Sequence, residues 1–327
     1  MSFNNIEISK DSFFLLTKPK NYIGIVYLVN HIFFLFIFGL LTIFIYDYSI
    51  IFSLLSYLIY CQIFNFLSTT GAMHEFAHGK VFTNKKINNF IYNILGYLTW
   101  TNPSFYKATH FNHHKNLCHV EDLECFKQSD FKKLKSSEVI FFIVPSLKLF
   151  FFRIYFNLCT MIGKIKDDRL RKIFENSNKF KIKFDAFFIL FFHIVIIFFS
   201  LFSSSILPLI FLSFPTFFSR YLSYVLARSQ HNISQKEIEK SELLNSNLKN
   251  KNYENEPNRN LRNSVSIRLP KILELLYWNM NYHSEHHLLP SVPCYNLKYI
   301  QSEIKISKKL SEIYNIRNFY EEMKRHH

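Results

Sequence analysis

The 327-residue chain has no Cys-x-x-Cys pair, and its five cysteines, Cys61, Cys118, Cys125, Cys159 and Cys294, are scattered. That excludes a zinc ribbon or a rubredoxin-like iron site, and the odd count suits reduced thiols. The chain also lacks a flavin or nicotinamide fingerprint and a haem-attachment motif. No charged residue interrupts residues 23–46, 49–70 or 186–219. Each run is long enough for at least one bilayer crossing, which takes roughly 20 residues. The first twenty residues are mixed polar and charged, so no cleavable signal is expected.

What is present is apolar and basic. Half of the residues are hydrophobic, 39 are Phe, and the formal net charge is +15. The Lys and Arg cluster in loops that flank the apolar runs, which marks those loops as cytoplasmic. This topological reading outweighs nucleic-acid binding, the other use of a basic chain.

The expected architecture is all-α: a multi-pass membrane protein with four transmembrane helices in two pairs and a cytoplasmic helical cap. A cytoplasmic arm at 1–21 precedes a membrane domain at 22–300, and a cytoplasmic tail follows at 301–327. Crossings are expected at about 22–46, 49–70, 185–204 and 206–228. The turns at 47–49 and 203–205 have no Lys or Arg and belong outside. A break of the second helix at Gly71 is allowed for, and Pro215 should kink the fourth. Residues 139–163, with Lys148 and Arg153 inside an apolar stretch, should lie in the interface with those cations snorkelling to the headgroups. The polar stretch 233–263 has no hydrophobic period and reads as a mobile loop. An even number of crossings puts both termini on the cytoplasmic side.

Eight of the fourteen histidines fall in three boxes: His74-Glu-Phe-Ala-His78, His110-Phe-Asn-His113-His114 and His283-Ser-Glu-His286-His287. Spacings of i, i+3 and i+4 put imidazoles on one helix face. Crowded imidazolium ions repel, whereas a metal holds each ring neutral. Eight ligands exceed the four of a zinc site. Box one alone matches the zinc-protease pattern, but a protease leaves the other boxes unexplained. Imidazole suits zinc, copper, iron and nickel, so ligand type does not choose the metal. A metal transporter would place its ligands at mid-membrane; these boxes flank the apolar runs. Glu75, Asp122 and Glu285 stand beside the boxes, either orienting imidazoles or simply exposed. His31 and His193, inside apolar runs, read as neutral core histidines, and His119 as a peripheral or surface residue.

The order His-x-x-x-His, His-x-x-His-His, His-x-x-His-His resembles the membrane fatty acid desaturase superfamily, which includes hydroxylases and carotenoid oxygenases. The run from Trp278 to Pro293 is especially similar to that family's third box. The resemblance covers about residues 22–300. It implies a non-haem di-iron centre that uses O2 as co-substrate, with ligands His74, His78, His110, His113, His114, His283, His286 and His287. The family adds a ligand just after the fourth crossing, where His231 stands. The implied reaction is desaturation of a fatty acyl chain, with lipid, carotenoid or alkane hydroxylation or ketolation as the alternative. A lipid substrate and a separate ferredoxin or cytochrome b5-like electron donor are the implied partners.

Overall fold

The computed structural model describes residues 2–3, 6–117, 122–124, 144–231, 264–303, 305–306 and 316–318. The stretch 233–263, His119 and most of the tail lie outside them. The chain is mostly helical, and the strands are two or three residues long.

After α1 (Lys10–Thr17), α2 (Asn21–Tyr46) and α3 (Ile50–Asn65) form an antiparallel hairpin. Their register is fixed by hydroxyls: Ser53 Oγ donates to the Thr42 carbonyl at 2.6 Å and Ser56 Oγ to that of Phe38 at 3.1 Å. α3 buries Leu58, Cys61, Ile63 and Phe64, whereas α2 leaves Val29, Phe33 and Phe36 exposed. The same asymmetry marks α9 (Lys179–Phe202), which exposes Phe191, Phe198 and Phe199. Such apolar faces are unfavourable in water and favourable against lipid. α2 and α9, of 26 and 24 residues, are both long and apolar enough to cross a bilayer.

The other two expected crossings are built differently. α3 stops at Asn65 after 16 residues, about 24 Å of axis against a core of about 30 Å. The chain then turns back through Gly71, whose added Cβ would stand 2.2 Å from the Phe66 carbonyl oxygen. It restarts as α4 (Ala72–His78). The segment expected as the fourth crossing is no continuous helix either. It is a π-helical turn at Leu209–Ser213, a 3-10 turn at Pro215–Phe217 and then α10 (Tyr221–Ser229). Pro215 offers no N–H to the ladder and breaks it. The carbonyls so freed find side-chain donors: Tyr57 to Ile210 at 2.9 Å, Tyr60 to Phe211 at 2.7 Å, Trp100 Nε1 to Ser213 at 2.9 Å and Asn65 to Phe218 at 2.8 Å. Broken backbone at membrane depth needs such partners.

The two core histidines are satisfied as expected. His31 Nε2 lies 3.0 Å from the Ile63 carbonyl, and Trp278 Nε1 donates to its Nδ1 at 3.2 Å. His193 bridges Ser213 Oγ and the Tyr97 carbonyl at 2.9 and 3.0 Å and stacks on Trp100.

Between the hairpins lie α5 (Lys85–Leu98), α6 (Pro103–Asn116), α7 (Leu147–Ile162) and α8 (Asp168–Glu175). α7 begins just past Pro145, capped by Ser146, and packs on α9. Lys148 is exposed, but Arg153 turns inward instead of snorkelling. Toward the C-terminus, α11 (Lys271–Leu276), α12 (His283–Leu288) and α13 (Cys294–Leu297) close over α4, burying Tyr277, Trp278, Met280 and Leu297 beside Met73 and Phe76.

Candidate metal centre

α4 is only seven residues long, yet it carries box one with His74 and His78 one turn apart. α6 starts at Pro103, with Asn102 capping it by accepting the Phe105 N–H at 3.0 Å. This cap leaves box two in the last turns of the helix. Box three forms all but the last residue of α12, whose five residues from His283 to His287 are buried. His231 follows α10. It is held there by Gln230, which accepts the Tyr277 hydroxyl at 3.2 Å, donates to the Met280 carbonyl, and whose own carbonyl accepts the Val265 N–H.

These placements bring all nine candidate histidines together, in two clusters. His74, His78, His110, His114 and His286 form one; His113, His231, His283 and His287 form the other. In the first, Nε2 of His74 lies 2.8 Å from that of His286, His78 2.9 Å from His110, His114 3.1 Å from His110 and His286 3.1 Å from His114. In the second, Nε2 of His283 lies 2.9 Å from His231 and 3.0 Å from His287. Protons can link such nitrogens only pairwise, whereas one cation satisfies all the lone pairs of a cluster. Imidazoles bound about 2.1 Å from a shared ion and at right angles to one another stand about 3.0 Å apart, so the observed spacing fits a metal in each cluster.

The outer nitrogens are also organised. Asp122 accepts His113 Nδ1–H with both oxygens, at 2.9 and 2.8 Å. Glu124 accepts His110 Nδ1–H at 3.0 Å and is steadied by Thr109. Asp122 in turn accepts the Glu124 N–H at 2.9 Å, which locks the two carboxylates together. A proton fixed on Nδ1 leaves the Nε2 lone pair facing the cluster. Glu75 Oε1 stands 3.5 Å from His286 Nδ1, an ion-pair distance, while Oε2 accepts the Cys294 N–H at 2.9 Å. Glu285 accepts from Ser266 Oγ and so ties box three to Ser266. Glu124 is the residue that sequence reasoning passed over. The pointer to it was its place in the acidic run with Asp122, two residues on.

Burial, then the charge of neighbouring imidazoles, pushes His74, His110, His114, His283, His286 and His287 well below the ordinary histidine range. His78 falls to about 3, through burial and Lys107. These rings are neutral at pH 7, the form that binds metal. His113 differs: burial opposes its charge, but the Asp122 hydrogen bond and charge outweigh that, and its pKa is raised. Burial pushes Glu75 up to about 8 and Glu124 up to about 7.

A cavity of about 720 Å³ opens against both clusters, with His74, His113, His231 and His283 in its wall. Apolar walls come from Phe105, Phe152, Phe156 and Phe217. Two lipid-compatible helices, two histidine clusters suited to metal and a shared cavity fit a metalloprotein that meets lipid. Residues 49–307 match the family "Fatty acid desaturase", so the chain belongs to that family of desaturase- and hydroxylase-like enzymes. No curated protein matches the chain.

Proposed function

We propose that this protein is a membrane-bound non-haem di-iron oxidoreductase that uses O2 to desaturate a fatty acyl chain. The observation that carries the proposal is the convergence of nine imidazoles into two adjacent clusters, with His74, His113, His231 and His283 in the wall of one cavity. In this reading His74, His78, His110, His114 and His286 hold one iron, and His113, His231, His283 and His287 the other. Bound iron supplies the oxidising chemistry on O2. The chain's own residues do the rest. Asp122 and Glu124 hold protons at Nδ1 of His113 and His110, which keeps their Nε2 lone pairs inward. The phenyl walls orient the chain and exclude water from the carbon to be oxidised. Glu75 is engaged by the Cys294 N–H and by the outer nitrogen of His286, a supporting role unlike that of a protease's general base.

α2, α3, α9 and the broken segment 206–228 form four crossings in two pairs, with the histidine boxes and both termini cytoplasmic. Domain bounds of 1–21, 22–300 and 301–327 follow from that layout. Electrons arrive from a separate ferredoxin or cytochrome b5-like protein, steered by the basic cytoplasmic face.

The test is lipid profiling of cells with and without the protein, alongside metal analysis of the purified chain. New double bonds and two irons per chain are expected. Added oxygen without new double bonds would move the assignment to hydroxylation or ketolation. A single zinc and unchanged lipids would overturn it.

A further inference from the structure

Among the described residues, two arginines face the cavity without acidic partners. Arg153 reaches it from the middle of α7, and Arg220 from the residue preceding α10. The Nε atom of each is buried and makes no hydrogen bond. Among the described residues neither pairs with a carboxylate. The nearby acids are engaged elsewhere: Glu124 by His110 and Thr109, and Asp185 by the Tyr97 hydroxyl and the Ser104 N–H. The two guanidinium groups also repel one another.

Half-buried cations with a buried Nε and no counter-charge are costly, and a protein that brings two of them to one cavity favours an anion there. We propose that Arg153 and Arg220 form a receptor for the acidic head group, a carboxylate or a phosphate, of the molecule oxidised at the histidine clusters. The planar fork of a guanidinium matches both oxyanions. Ser146 and Ser223 line the same cavity and add hydroxyl donors to that wall. The site is an anchor and not part of the metal centre. The nine residues of α10 and then Gln230 separate Arg220 from His231, and the helix alone rises about 14 Å. An anchored head therefore leaves the chain to run along the phenyl walls toward the imidazoles, and the anchor sets which carbon meets them. That this anion belongs to the substrate rests on the oxidoreductase reading above; the anion site itself does not.

The test is equilibrium binding to the full-length, iron-loaded protein in non-ionic detergent, at a pH where the acid is ionised. The probes are radiolabelled palmitic acid, methyl palmitate and 1-palmitoyl lysophosphatidic acid. The wild type should bind an acidic probe at least about tenfold more tightly than the neutral ester, a difference of about 1.4 kcal/mol. Tighter palmitate identifies a carboxylate head, and tighter lysophosphatidate a phospholipid one. The double variant R153Q/R220Q should lose the preference but keep its iron and its affinity for the ester, and R153K/R220K should restore part of it. Equal binding of acid and ester by the wild type overturns the proposal whatever the variants do, and so does a preference that survives R153Q/R220Q. The same samples separate the two readings. A protein that holds no iron yet prefers the acid ends the oxidoreductase reading alone. An iron-replete protein without preference ends only the head-group site.

Discussion

Asp122 holds His113 through both oxygens and also braces Glu124 through its backbone N–H, so one buried carboxylate supports an imidazole in each cluster. Removing it in Asp122→Ala should lower metal affinity about 10- to 100-fold, read as iron retained per chain after dialysis against a chelator. Retention equal to wild type would remove Asp122 from the centre. The titrating groups also set a pH profile for the metal-free protein. Seven box histidines have folded-state pKa values below their ordinary 6.5. Below that pH the unfolded chain takes up protons that the folded one refuses, so stability falls as pH drops. Glu75 and Glu124 act oppositely. Their folded pKa values of about 8 and about 7 exceed the ordinary 4.5, so stability falls as pH rises toward 8. His113, raised by Asp122, acts in the same direction as the two carboxyls, and seven groups against three give a rise up to about pH 6.5 and a decline above it. Thermal unfolding of metal-free protein across that range should show the maximum; a steady rise through pH 8 would contradict these environments.

Each His-x-x-His-His helix serves both clusters. Residues i and i+4 of box two, His110 and His114, share one cluster, and the i+3 residue His113 goes to the other. In box three His283 and His287 share the second cluster and His286 goes to the first. At about 100° per residue the i+3 ring leaves the helix some 100° away from the i+4 ring, so a single helix presents imidazoles to two points. This is the use of the adjacent His-His pair. Box one has no such pair, and both its rings go to the first cluster. Its position depends on the turn at Gly71. A methyl group there would meet the Phe66 carbonyl oxygen at 2.2 Å, and backbone must move. Gly71→Ala should therefore cost about 2 kcal/mol or more and lose iron from the first cluster. Thermal unfolding and iron content check both effects. Wild-type values would mean that the turn is not what aims α4.

At the scale of the whole molecule, four segments are read as crossings, but only two are long uninterrupted helices. The short α3 and the broken 206–228 segment are the inner members of the two pairs, their polar backbone satisfied by Tyr57, Tyr60, Asn65 and Trp100. The proposed layout puts the tips of both helix pairs on the side opposite the boxes. Tyr48 is 90 % exposed at the tip of the first hairpin. A cysteine placed there in Tyr48→Cys should react with a membrane-impermeant maleimide in intact cells, whereas Asp168→Cys, on the box side, should react only after permeabilisation. Equal labelling of the two would break the even count of crossings.

By itself the sequence determined the nine candidate histidines, the apolar runs, the breaks at Gly71 and Pro215 and the core roles of His31 and His193. Each of these is a local matter: helical spacing, an uncharged run or a residue that cannot continue a helix. The tertiary structure alone decided which imidazoles share a cluster, since that depends on how α4, α6, α10 and α12 cross. It also decided that Glu124 backs His110, that Glu285 anchors a serine, and that Arg153 turns inward beside Arg220. A side chain's partner, whether 14 residues away like that of Glu124 or 212 away like that of His74, is set by packing, and packing leaves no periodic trace in the chain.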